Sequence, residues 1–501
     1  MRVHRATSWG WLSARGLILA DAWLGVLTYV VPPGLVDEAV GDGLAWEMRL
    51  RLLPARVTAY FTLGLCLFSG TSYSGVFAQV TSGLGLASPA STALSAARRR
   101  LGEKPLESLF RRLCAPLSPG TAPWSHAGGL LVVAWDGTTV DVADSPANTA
   151  AFGRPGNASV KAAGFPQLRL VTLVACGTRA LLDAACGPLR GPGAGERDLA
   201  RRLLGSLRAG MLLLADRGFY SYDLWGAAAA GGAHLLWRVK AGQHLPVVRE
   251  LPDGSWLTHV SDPRAVTART RRNGERRRRG SRLPPDTSPL PGRTARVIAF
   301  TLTVTADDGT ARTEPYRLLT TLLDYRAHPA AELAAAYARR WAAETSYREW
   351  KTFLRGPGRP LRGRDPALAR QELWATLAVY QAVRTLITRA AARTGTDPAR
   401  LSFTAALDAA RRTLPAARDH IDTALAQAET DILASPVPER KGRVYPRAVN
   451  KPVSPYPSRN GKTSPVSQHS QCTLTITTPA TTTQPPTDQH RHPSRQADNP
   501  P

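Results

Sequence analysis

Up to about residue 115, Leu, Ala and Val recur at helical spacing, with Pro32–Pro33 and Pro54 as breaks; this predicts an all-helical N-terminal domain over 1–115. From Gly129 the period changes. Gly129–Trp135 is an apolar run, Asp136-Gly137-Thr138-Thr139 has the composition of a turn, and Val140–Val142 resumes, so a hairpin is predicted. Gln167–Cys176 and Arg179–Ala185 read as two more strands. Glu196–Leu207 reads as a helix with Leu199, Leu203, Leu204 and Leu207 on one face. Met211–Ala215 is a buried strand, Tyr222–Ala230 a helix and His234–Val239 another strand. That order implies an α/β layer built on a mixed sheet.

The rhythm breaks over 245–326. Strand-like pieces at Ala295–Thr305 and Tyr316–Leu322 flank a polar basic stretch, Arg269–Arg282, holding Arg271, Arg272 and Arg276–Arg279. A β-rich insertion with a disordered basic loop is expected, the loop being either a DNA clamp or merely solvated. Ala330–Phe353 and Ala367–Arg393 read as long helices within a second core segment, 327–434, the first being 125–244. Beyond 435 the chain turns to Pro, Ser, Thr and Gln and is expected to be a disordered tail. Asp21 breaks the apolar run Leu17–Val31, and Tyr60–Phe68 is too short to span a bilayer; both read as buried helices, and no membrane partner is expected.

Charge sharpens the picture. Lys plus Arg number 64 against 38 Asp plus Glu, a net +26, which favours a polyanionic partner, nucleic acid first. A GC-rich coding bias accounts for Arg over Lys but less well for the shortage of acids. Arg49, Arg51, Arg56 and Arg98–Arg100 form short basic clusters, each readable as a DNA contact or a solvated helix face. The five Cys include no CxxC pair, so neither a zinc cluster nor a disulfide framework is suggested, and a reducing cytosol fits.

Two apolar runs end in Asp followed by Gly within two positions: Leu130–Trp135 before Asp136-Gly137, and Met211–Ala215 before Asp216-Arg217-Gly218. Either Asp alone reads more simply as a turn former or helix cap. A third motif lies in the helix from Tyr337 to Lys351. Tyr337, Arg340, Glu344 and Lys351, at offsets 0, 3, 7 and 14, fall on one stripe of an ideal helix. A solvated charged face with i,i+4 pairs is the plain alternative, but Trp341, Tyr347 and Trp350 argue for a packed helix.

Tyr-x2-Arg-x3-Glu-x6-Lys resembles the signature of insertion-sequence-4-type transposases, within the DDE transposase and integrase superfamily. The stretches around Asp136 and Asp216 look like that family's two Asp motifs, in order. Asn148–Gly156 and Leu53–Thr58 are also similar to it. The resemblance implies a ribonuclease H-like core interrupted by a β-rich insertion. It also implies a catalytic, metal-binding triad of Asp136, Asp216 and Glu344, holding two Mg²⁺ ions for which Mn²⁺ can substitute. Tyr337, Arg340 and Lys351 would contact DNA phosphates. The implied activity is cleavage of transposon ends and joining of the 3′-hydroxyl to target DNA, by a homodimer in the bacterial cytoplasm, at the nucleoid. Residues 20–115 would recognise the terminal repeats. Trp256 and Tyr316 in the insertion are candidates to receive a flipped base, though core roles suit them better. A nuclease without strand transfer, an inactive transposase-derived DNA-binding protein and a basic scaffold are the competing readings.

Overall fold

A computed structural model describes residues 22–42, 53–82, 88–115, 117, 122–156, 164–279, 284–307, 309, 311–414, 420–437, 443–444 and 468–479. Arg49 and Arg51 lie outside them. The chain divides into two compact units, Met1–Trp237 with Ala335–Arg440, and Arg238–Ala334 with Lys441–Pro501.

The first unit begins with helices α1 (Pro33–Asp42), α2 (Ala55–Leu67), α3 (Tyr73–Val80), α4 (Ser91–Leu101) and α5 (Lys104–Leu113). Helix α2 is buried almost all round, from Val57 to Leu67, as its unbroken apolar run requires. Gly64 lets α3 approach: a Cβ there would stand 2.6 Å from Val80 Cγ2. Next comes β1 (Leu130–Asp141), one continuous strand rather than the hairpin expected at Asp136-Gly137. It pairs antiparallel with β2 (Gln167–Ala175) from Val133↔Ala175 to Asp141↔Gln167, so ladder bonds run straight through the supposed turn. A short helix, α6 (Pro146–Phe152), separates them, and β3 (Leu181–Pro188) pairs antiparallel with β2. After α7 (Glu196–Arg202), β4 (Met211–Ala215) lies parallel to β1 on its other side. Following α8 (Tyr222–Ala230), β5 (His234–Arg238) lies parallel to β4. The order β3-β2-β1-β4-β5, three antiparallel strands followed by two parallel ones, is a ribonuclease H-like mixed sheet.

The second unit is β-rich. Strand β6 (Trp256–Ser261) pairs with the start of β7 (Gly292–Ala306), and β8 (Ala311–Thr320) pairs with β7 on its other edge, all antiparallel. Two expectations fail here. The basic stretch is not a loop: Pro263–Arg278 is a helix, α9, capped by Asp262 and carrying no buried residue. Its order comes from local bonds, among them the reciprocal pair between the Asn273 amide and the Asp286 backbone. Nor is the whole tail without structure, because Gln468–Ile476 forms β9, antiparallel to β7 from Ser470↔Ala306 to Ile476↔Phe300. Backbone pairing needs no apolar core, and Thr473, Thr475 and Ile476 are β-branched residues that suit a strand. Trp256 is buried, as a core residue should be. Tyr316 stacks on Phe300 at 5.1 Å and lies under the Arg238 guanidinium at 3.9 Å.

Helix α10 (Ala330–Tyr337) leads back into the first unit. The single long helix expected over Ala330–Phe353 is in fact segmented. A 3₁₀ turn over Ala338–Arg340 follows α10, then α11 (Trp341–Arg348), then a wide π turn over Glu349–Leu354. Helix α12 (Pro366–Thr394) is capped by Asp365 and ended by Gly395 in the left-handed conformation; α13 (Phe403–Arg412) and α14 (Ile421–Leu433) follow. Both α5 and α2 pack on α12, and the N-terminal helices fall in the same compact unit as the sheet. Arg98 cements that junction. Fully buried, it bonds Gln371 Oε1 at 2.9 Å and the Tyr73 hydroxyl, with Glu372 at 3.8 Å, and so has no part in a DNA-facing cluster.

Candidate active site

The two Asp residues stand side by side because their strands do. Ala134 pairs with Leu214 in the parallel β1–β4 register, and two residues further on stand Asp136 and Asp216. Adjacent strands lie roughly 4.8 Å apart. Alternation turns Trp135 to the opposite face, where it packs fully buried against Trp237 at 5.6 Å and Phe219 at 6.0 Å. That aromatic floor makes the strands rigid beneath the carboxylates.

The segmented helix crosses both strands and is fastened to each. The Tyr337 hydroxyl donates to the carbonyl of Ala215, the residue before Asp216, at 3.3 Å. The Tyr347 hydroxyl is bonded to the carbonyl of Asp136 itself and lies 2.9 Å from Thr172 Oγ1, on the strand pair opposite. Lys351 Nζ donates to Thr138 Oγ1 at 2.9 Å and to the Thr139 carbonyl at 2.8 Å. Three ties therefore bracket Glu344. Between the ties the helix tightens to 3₁₀ over Ala338–Arg340 and widens to π over Glu349–Leu354, and the Arg340 guanidinium lies over the Trp341 ring at 5.1 Å. Tyr337 and Lys351 thus hold protein atoms, a role the ideal-helix stripe did not anticipate. Tyr347, outside the motif, was missed; its signal was its place three residues after Glu344, on the same helix face.

Arg340 Nη2 donates to Glu344 Oε1 at 3.0 Å. Burial works to lower the pKa of this guanidinium, but Tyr337, Glu344 and Asp216 around it outweigh that and hold it above its ordinary value. Burial pushes the Asp136 carboxyl up to about 6; the Gly137 amide and Arg340 oppose the rise, while Glu344 and Glu196 add to it. Burial, then Arg355, lowers the Lys351 pKa. Asp136 and Glu344 therefore act on one another, and Arg340 lies within reach of Asp216 and Glu344. Among the described residues, no three Asp, Glu, His or Cys side chains converge closely enough to cage a metal ion as they stand. The donor set nevertheless fits a hard divalent cation: carboxylate oxygens from separate elements raise one another's cost, and Arg340 supplies the compensating charge.

The sequence model of the transposase DDE domain matches residues 127–381. The chain belongs to the DDE transposase family. The insertion element 4 transposase N-terminal model matches residues 21–111, which makes this a DNA transposase of the insertion-element-4 type. It is 27% identical over 447 residues to the transposase InsG for insertion sequence element IS4 of Escherichia coli strain K12, covering 87% of this chain and 93% of that protein. Among solved structures, a cryo-EM structure of the piggyBac transposase synaptic complex with hairpin DNA aligns with a TM-score of 0.39 and 9% identity, over 84% of this transposase and 87% of that chain. No helix among the described residues is long and apolar enough to cross a membrane.

Proposed function

We propose that this transposase cuts the ends of its own element and joins the freed 3′-hydroxyl to target DNA, with Asp136, Asp216 and Glu344 as catalytic carboxylates. The observation that carries the reading is geometric: Asp136 and Asp216 stand two residues beyond the paired Ala134 and Leu214, and the Glu344 helix is tied to both strands through Tyr337, Tyr347 and Lys351. The same carboxylates would hold two Mg²⁺ ions, with Mn²⁺ able to substitute. Bound there, the ions would supply activation of the attacking oxygen and stabilisation of the leaving one.

The chain's own residues account for the rest. In the first step a water oxygen bonds to phosphorus and its proton passes to solvent, while the 3′ oxygen leaves with the P–O bonding pair and takes up a proton from solvent to become the free 3′-hydroxyl. In the second the 3′-hydroxyl oxygen loses its proton and bonds to a target phosphorus, and the target's 3′ oxygen leaves with the P–O bonding pair and is protonated in its place. Arg340, whose buried Nε has no hydrogen-bond partner among the described residues, and Lys351, with two of its three donors used on β1, would contact phosphates beside the cut. Such contacts position DNA without reading its sequence. Tyr337 fixes the helix at β4 and adds a weaker phosphate contact. Helix α9 offers an arginine-rich surface to the phosphate backbone, suited to non-specific grip. Two protomers would act together on paired ends, at the nucleoid.

The test is incubation of the protein with its element's DNA ends and Mg²⁺, then with target DNA. Wild type should cleave and join, and Glu344→Gln should do neither while melting as wild type does. Equal cleavage by both proteins rejects the reading. Cleavage by wild type without any joined product leaves a nuclease.

A further inference from the structure

The residue that opens the π turn, Glu349, is buried, and none of its partners is one of the proposed site residues. Its Oε1 accepts from Arg179 Nη1 at 2.8 Å and has Arg384 Nη1 at 3.6 Å. Its Oε2 lies 3.0 Å from the Tyr380 hydroxyl. Taking a carboxylate and its cations out of water is costly, and well-packed apolar residues of similar volume often stabilise a core as well or better. A buried acid on the helix that bears Glu344 therefore calls for a reason other than stability.

Arg179 supplies one. It sits in the turn between β2 and β3 at φ 56°, and among the described residues only it and Leu117 are non-glycine residues with positive φ. Glycine adopts that conformation freely, whereas an L side chain is strained in it. The turn is already pinned to α12 without the side chain at 179. Arg384 Nε donates to the Thr178 carbonyl at 2.8 Å, the Leu181 amide donates to Gln381 Oε1 at 2.8 Å, and the Tyr380 hydroxyl lies 2.8 Å from the Arg179 carbonyl. What glycine could not provide is the guanidinium. Apart from a long 3.5 Å contact with the Ala399 carbonyl, its bond is to Glu349. The strain at Arg179 and the burial of Glu349 thus share one cause, the pair they form.

That pair acts on the geometry of the site. Strand β2, which leads into the turn, carries Thr172, the residue opposite Asp136 and in contact with Tyr347. Tyr347 to Thr172 and Glu349 to Arg179 are then two rungs from the Glu344 helix to one strand and its turn. The second rung is placed where the α-helix ends, two residues before Lys351 bonds Thr138 and Thr139. A segment relaxed to ordinary α geometry would turn Lys351 away from β1 and slacken the end of the helix that bears Glu344. Turns of π type are rare in helices and concentrate at functional sites.

We infer that Glu349 is a positioning residue for the proposed cleavage: its pair with Arg179 holds the π turn, and through it the Glu344 carboxylate, against the turn between β2 and β3. The inference rests on the reading of Glu344 given above.

The experiment uses the full-length protein with its element's end DNA and Mg²⁺, and the first variant is Arg179→Gly. Glycine suits the backbone there, and Glu349 keeps Arg384 and Tyr380, so no buried charge is left alone. The variant should melt close to wild type, while kcat for end cleavage falls about tenfold through misplacement of Glu344. KM should stay within about twofold, because no DNA contact is removed. Arg179→Lys, which keeps the cation, should recover part of the lost kcat. A contact that serves stability alone would lower Tm and leave the kcat of the folded protein unchanged. Wild-type kcat in Arg179→Gly, or no recovery in Arg179→Lys, overturns the role of the pair and leaves the proposed activity standing, provided that Glu344→Gln is inactive. No cleavage by wild type, or equal cleavage by Glu344→Gln, overturns both. Should the Gly variant melt well below wild type, Arg179→Asn, whose side chain also tolerates positive φ, is held to the same outcomes.

Discussion

Replacing Asp136 by Asn should make the metal-free protein more stable, and only on the alkaline side. Burial is the main reason that the Asp136 carboxyl sits at about 6 instead of 3.8, with Glu344 and Glu196 adding to it. Each pKa unit corresponds to about 1.36 kcal/mol, so keeping this group ionised in the folded state costs about 3 kcal/mol. The sign follows from the direction of the shift. Because the folded pKa is the higher one, the folded state binds the proton more tightly. That contribution is full below pH 3.8 and is lost as pH rises through about 6. Asparagine carries no such charge, so the variant should gain on wild type across that window and keep the gain above it.

The unit holding Asp136, Met1–Trp237 with Ala335–Arg440, should unfold with an entropy of about 2.1 cal/mol/K per residue, so about 3 kcal/mol corresponds to roughly 4 °C in Tm. The assay is thermal melting of both proteins in chelator at several pH values from 4 to 8. The Tm difference should be near zero at pH 4 and approach that size by pH 8. Adding Mn²⁺ at pH 8 should then raise the wild-type Tm and leave the variant's unchanged, since binding stabilises only a fold that binds. A Tm difference that does not vary with pH, or a variant less stable than wild type at pH 8, refutes the account of Asp136 as a strained acid.

Two other expectations follow from the ties and from the basic helix. Tyr347→Phe removes the hydroxyl held at the Asp136 carbonyl and at Thr172; kcat for end cleavage should fall about tenfold through misplacement of Glu344, with KM little changed, whereas a rise in KM alone would mean that Tyr347 does not position the acid. Changing Arg276, Arg277, Arg278 and Arg279 together to Gln should reduce the slope of log K against log salt for DNA binding by up to about 3.6, or about 0.9 for each phosphate no longer neutralised, and an unchanged slope would remove α9 from the DNA surface.

What the sequence disclosed and what it hid divide along physical lines. The strands leading to Asp136 and Asp216 were legible because each is an apolar run buried on both faces, and such runs have few other homes. The failures came where one residue type serves two ends. Gly137 looked like a turn glycine, since a sequence records the absence of a side chain but not the Glu196 carboxyl that requires it. Arg98 looked like its neighbours Arg99 and Arg100, but it is fully buried, and its partners Gln371 and Glu372 are more than 270 residues away. The Tyr337–Lys351 segment was legible as chemistry and illegible as geometry, because nothing local marks where an α-helix tightens to 3₁₀ or widens to π. Strand β9 was hidden by composition: Ser, Thr and Gln cannot build a core, but they can satisfy an edge of β7.

The bonds of Tyr337, Tyr347 and Lys351 bear on how the site works. All three fasten the Glu344 helix to backbone or side-chain oxygens of the two Asp strands, so the position of Glu344 is set by the fold before any DNA arrives. Preorganisation of that kind is where an enzyme without covalent chemistry gains most of its rate. It also creates a local conflict. The protein as a whole carries +26, which favours DNA, while the acids around Asp136 would repel a phosphate brought to the proposed site. Arg340 answers part of that negative charge from within the fold, through Glu344 and Asp216. A phosphate competing for Arg340 would leave Glu344 less compensated. Cations and scissile phosphate are therefore expected to bind with mutual benefit: each should raise the apparent affinity for the other by the same factor. Mn²⁺ titrations with and without the element's end DNA, matched against DNA titrations with and without Mn²⁺, must return equal ratios above one; a ratio of one would mean that Arg340 does not link the two.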